Sequence, residues 1–131
     1  MVVAKTLYAQ KILAEPKSRA ARAGLAQLAG SERMIQLCNL EAMEQVHRWR
    51  DWLEPDFLIA YASSDAKLSA TAVIAEGAAV RSKRHWFSLR YDCRVAGDGQ
   101  SVAALSFSLG PEIPTAQWAT LGLALDGDPA D

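Results

Sequence analysis

Several things are scarce in this chain of 131 residues. No run of it approaches the roughly 20 apolar residues that cross a bilayer. Its start, Met-Val-Val-Ala-Lys-Thr-Leu-Tyr, lacks the charged-then-apolar layout of a secretory signal. Histidine and cysteine each occur twice, without the spacing of a zinc site and without a Cys-x-x-Cys redox pair. There is no phosphate-binding glycine loop, Ser-His-Asp layout or nucleophile elbow. A net charge of −1 removes the overall field that draws a protein to nucleic acid. Internal repeats and low-complexity tracts are absent as well. What remains is a globular chain: half its residues are hydrophobic and 22% are charged, enough apolar material to bury a core rather than stay disordered. At this length one domain closes without metals or many disulfides.

The charge is unevenly placed. Lys5, Lys11, Lys17, Arg19 and Arg22 face only Glu15 in the first thirty residues, while Asp126, Asp128 and Asp131 crowd the end. A basic start suits an anionic membrane surface, but the simpler reading is the solvated face of helices.

The pattern predicts helices first and strands after. Residues 2–14 read as a helix that stops before Pro16, because the residue preceding a proline disfavours α geometry. Pro16 then suits the first turn of a second helix through 17–28, ended by Gly30. Ser31 is the expected N-cap of a third, 32–50, whose apolar stripe is Ile35, Cys38, Ala42, Val46 and Trp49. An aromatic segment follows around Pro55. From Leu68 the period becomes two, and Glu76-Gly77 reads as a turn between strands. The clearest strand is 86–95, with Phe87, Leu89, Tyr91, Cys93 and Val95 on one face and Ser88, Arg90 and Asp92 on the other. The loop at 96–100 is a hairpin signal, returning the chain through 102–109 with Ala103, Leu105, Phe107 and Leu109 inward. Ile113-Pro114 opens a short C-terminal helix. The expected architecture is α+β: N-terminal helices packed on a small antiparallel β-meander, with a short C-terminal helix. A single domain spans 1–125, with a helical arm (1–30) and a core (31–123), and a disordered tail at 126–131.

Cys38 and Cys93 both fall on core-facing positions, one of a helix and one of a strand. A bridge between them closes a loop of about 55 residues, worth roughly 4 kcal/mol on the chain-entropy model, and implies an oxidising compartment. Two buried thiols are the alternative, since cysteine also packs as a small hydrophobe.

Two polar groupings stand out. Glu41, Glu44 and His47 lie three or four apart, a spacing that makes neighbours on a helix and occurs in bundle metal sites. Such sites need ligands from other helices, and the one other histidine is His85, so a solvated face is the simpler reading. Arg81, Lys83, Arg84, His85, Arg90 and Arg94, with Trp86, Phe87 and Tyr91 among them, form the concentrated basic-aromatic segment. It suits a ligand or partner surface, or a strand edge guarded by cations.

Cys-Asn-Leu-Glu-Ala-Met-Glu-Gln-Val at 38–46, Pro-Asp-x-x-Ile-Ala-Tyr-Ala at 55–62 and Gly-Ala-Ala-x-Arg-Ser at 77–82 carry a family resemblance. Trp-Phe-x-Leu-x-Tyr-x-Cys at 86–93 and Gly-Pro-x-Ile-Pro-x-x-x-Trp at 110–118 extend it. From about residue 2 to 123 the chain resembles the alphaproteobacterial, mainly rhizobial, domain of unknown function 930, including its two signature cysteines. The resemblance implies an envelope location, with a membrane anchor and a Pro-rich or charged linker ahead of the domain. Neither is present in this chain, which as it stands reads as cytoplasmic. The resemblance implies no established activity.

The sequence therefore favours a non-enzymatic, periplasm-facing module without cofactor or metal. It would bind an envelope protein or cell-wall component through Arg81, Lys83, Arg84, His85, Trp86 and Arg90, and would reach the membrane only through an upstream anchor. A small hydrolase or wall-processing enzyme using Glu41, Glu44 and His47 is the alternative, and a terminal cap or spacer the third reading.

Overall fold

The computed structural model describes residues 1–125, so the tail expected at 126–131 lies outside the described residues. Its frame is a six-stranded antiparallel sheet. Along the sheet run β1 (Val2–Val3), β6 (Val102–Glu112), β5 (His85–Val95), β4 (Ala72–Ser82) and β2 (Pro55–Ile59), with β3 (Lys67–Leu68) also paired to β4. The helices are α1 (Ala9–Ala14), α2 (Arg19–Ala26), α3 (Gly30–Trp49) and α4 (Trp118–Leu121), with a 3-10 turn at Pro16–Ser18. The fold is α+β.

The stripe of α3 decides how the layers meet. Ile35, Cys38, Ala42 and Val46 recur three or four residues apart, so their side chains emerge on one side, and all are buried. They pack on the sheet face formed by Val73, Val80, Leu89, Tyr91, Cys93 and Phe107. Each large aliphatic chain so buried contributes about 1.5–3 kcal/mol. Trp49 meets Phe107 edge-on, with ring centroids 5.5 Å apart. Cys38 and Cys93 are bonded across this interface with their Cα atoms 6.0 Å apart, tying helix to strand.

Among the described residues, the opposite face is covered only at its β2 end. There Trp86, Ala79, Ile113 and Leu123 are buried, flanked by Phe57, Ile59, Trp118 and Leu121. The C-terminal segment makes this cover. Gly122 ends α4 in the left-handed conformation, φ 72°. Leu123 N–H reaches back to the Trp118 carbonyl at 2.9 Å and Gly122 N–H to that of Ala119 at 3.3 Å, the paired bonds that close a helix C-terminus on glycine.

Four local expectations change. Residues 2–14 are not one helix: Val2 and Val3 pair with Phe107 and Ser106 as an edge strand, as suits β-branched residues, and the helix starts at Ala9. Gly30 does not stop a helix but begins α3, with Ala29 at the N-cap position and no side-chain cap. Glu76-Gly77 is no turn: β4 continues through it with a bulge between Ala75 and Ala78. Gly77 is needed there, because a Cβ would lie 2.5 Å from Ser64 N and 2.6 Å from Ser63 Oγ. Finally, Ala103 is exposed and Val102 buried, since the β5–β6 register shifts between Arg94 and Val95 and moves each side chain to the other face.

Candidate functional site

Two residues, Lys83 and Arg84, carry β4 into β5 between the paired Ser82 and His85. Both have positive φ, 50° and 67°, as type I′ hairpin turns require at both central positions. Asn-Gly is the usual choice, because a Cβ in this conformation costs roughly 1–2 kcal/mol per residue. This chain places two cations there instead. Both are exposed, as is His85, whose Nδ1 lies 2.8 Å from Glu112 Oε2 across the strand pair.

The other members of the basic-aromatic segment separate from the turn. Arg81 faces the C-terminal cover, its side chain 4% exposed. It donates twice to Asp56, at 2.9 and 3.0 Å, and once to the Ala124 carbonyl at 3.3 Å. Its guanidinium lies 5.6 Å from the centroids of both Phe57 and Trp86. Trp86 is fully buried and donates its indole N–H to the same carbonyl at 2.7 Å. These two hold the fold closed beneath the C-terminal segment. Arg90 lies on the bare part of the sheet face opposite α3, while Arg94 is engaged by Asp92 at 2.7 and 3.0 Å. The structure thus places Lys83, Arg84 and His85 together and leaves Arg90 apart.

Glu41, Glu44 and His47 do not converge either. Glu41 is fully buried. It accepts hydrogen bonds from the amides of Tyr8 (2.8 and 3.1 Å) and Ala9 (2.9 Å), and from Gln45 Nε2 at 2.8 Å. A carboxylate at the start of α1 satisfies donors that a helix leaves open, so Glu41 anchors the N-terminal arm. Glu44 pairs with Arg48 at 2.8 Å and raises its pKa. The carbonyl of Leu53 lies 2.6 Å from His47 Nδ1, so that nitrogen carries the proton. Glu44 and His47 border an open cleft of about 670 Å³ with Glu54, Asp56 and Lys83. No three His, Cys, Asp or Glu side chains among the described residues are grouped to hold a metal ion.

With this geometry in view, one comparison is decisive. Residues 25–123 match the family described as Domain of Unknown Function (DUF930). The chain belongs to the DUF930 family. No curated protein and no solved structure matches it. The DUF930 match takes in α3, the cystine, the left-handed turn and the C-terminal cover as far as Leu123, and leaves α1 outside. No helix among the described residues is long and apolar enough to cross a membrane.

Reading the sequence missed the burial of Arg81, the anchoring role of Glu41 and the left-handed turn. The alternation of β5 already put Arg81's cross-strand partner Trp86 on the face opposite Tyr91. Pairing register was needed to put Arg81 beside it.

Proposed function

We propose that this DUF930 domain is a non-enzymatic binding module of the bacterial envelope, facing the periplasm, that holds an anionic cell-wall component on the Lys83-Arg84 turn. The turn itself carries the reading. Backbone conformations that cost stability persist where the surroundings impose them and cluster at sites of function, and here they present two cations with exposed His85 alongside. The buried Cys38–Cys93 cystine supports an oxidising compartment.

The test replaces Lys83-Arg84 with Asn-Gly, which keeps the turn type. Unfolding should become harder by about 1–2 kcal/mol as the left-handed penalty is relieved. Co-sedimentation with purified peptidoglycan sacculi should drop several-fold, and the wild-type interaction should weaken with salt. Undiminished sedimentation of the variant, or none by the wild type, overturns the assignment.

A further inference from the structure

We infer a second binding site, independent of the turn: a pocket on the sheet face opposite α3, built around Arg90, that takes the carboxylate of a small ligand carrying a single carboxylate. The pocket encloses about 220 Å³ and is lined by Arg90, Ser88, Ser108, Ser63 and Glu76, with Gly110 beside Ser88. At ~30 Å³ per water in the liquid, that is room for roughly seven waters, or for one group the size of an amino acid or sugar acid.

Three observations converge on it. First, the ladder is irregular on both sides of the same stretch of β5. β4 bulges between Ala75 and Ala78, and the β6 register shifts between the partners of Phe87 and Leu89. Bulges gather beside sites because they re-aim side chains and open the pleat. Second, glycine keeps the space open: a Cβ on Gly110 would sit 3.1 Å from Ser88 Cβ. Third, the polar groups on β5 and β6 are uncommitted, while Ser63 donates to the Gly77 carbonyl at 3.4 Å. Arg90 is exposed, and it makes no hydrogen bond or ion pair with any described residue; the Ser88 and Ser108 side chains make none either. Arg90 and Ser108 are direct cross-strand partners, and Ser88 is two residues from Arg90 on the same face.

The chemistry selects the ligand's charge. A guanidinium fork with hydroxyl donors matches a carboxylate, which accepts two parallel N–H bonds. Glu76 lies on the opposite side, paired with Lys67 at 3.2 Å. Its carboxylate disfavours a dianion such as phosphate, and can accept from an ammonium or hydroxyl of the ligand.

Amide chemical shifts of the isotope-labelled, oxidised chain would be followed during addition of D-alanine, glucuronate or inorganic phosphate. D-Alanine or glucuronate should give saturable shifts centred on Ser88, Arg90 and Ser108. D-Alanine alone identifies an amino-acid ligand, glucuronate alone a sugar acid, and both together a site that reads the carboxylate. Arg90→Gln should weaken binding at least about tenfold with unchanged melting, and Arg90→Lys should restore part of it. The Asn-Gly turn variant should bind like wild type, which separates this site from the turn. Phosphate binding as tightly as the carboxylates overturns the inference. So does the lack of a localised shift with either acid, or a response untouched by Arg90→Gln.

Discussion

Tyr91 shows what a single core residue adds beyond apolar area. Its hydroxyl, deep under α3, donates to Asn39 Oδ1 at 2.7 Å, and Asn39 Nδ2 in turn reaches the Leu58 carbonyl at 3.4 Å. Burial pushes the phenol above its ordinary pKa, because desolvation penalises the phenolate. In the unfolded chain this group titrates near pH 10, while in the fold it keeps its proton beyond that. Its contribution is therefore whole below about pH 10 and lost as pH rises above it, at about 1.4 kcal/mol per pH unit. Urea midpoints across the alkaline range should show this fall. Tyr91→Phe should cost about 1–2 kcal/mol at neutral pH, by stranding Asn39, and flatten the alkaline slope; an equally steep fall in that variant would assign the slope elsewhere. Alternation along β5 made the inward position of Tyr91 legible. Its partner was not, because Asn39 is 52 residues away in the chain. Glu41 was obscured for the same reason, since its amide donors lie 32 and 33 residues before it.

Among the elements, β4 departs furthest from what its composition suggests. Glu-Gly inside an alternating run reads as a turn, yet the strand passes through it, and Ser63 N–H donates to the Gly77 carbonyl at 2.9 Å. The loop at 63–64 lies so close that Gly77→Ala drives a methyl into backbone. The expected cost is about 1–3 kcal/mol, read as a lower melting temperature, and an unchanged one would mean that the loop moves aside freely. The real turn, at Lys83-Arg84, went unseen for the converse reason: neither residue favours positive φ, so nothing local marks it. By contrast, α3 and β5 were legible almost to the residue, since long periodic segments carry their own burial pattern. The short N-terminal pieces were not. Val2 and Val3 become a strand only because β6 offers an edge.

For the molecule as a whole, the cystine is the strongest single constraint. It spans a sequence separation of 55, worth roughly 4 kcal/mol on the chain-entropy model, against a typical total stability of about 5–15 kcal/mol. Cys93→Ala, or reduction under mild denaturant, should lower the unfolding free energy from urea titration accordingly; a loss of less than a quarter of that figure would mean the core alone holds α3 on the sheet. The residues that made the bridge legible, one on a 3.6-residue stripe and one on a two-residue alternation, also determine how the chain responds to tension. Pulled from its two ends, the oxidised chain transmits force from α3 straight into β5. The polypeptide between the cysteines stays out of the load path, and roughly 190 Å of contour length, at ~3.4 Å per residue, is withheld from extension until a reductant cuts the bond.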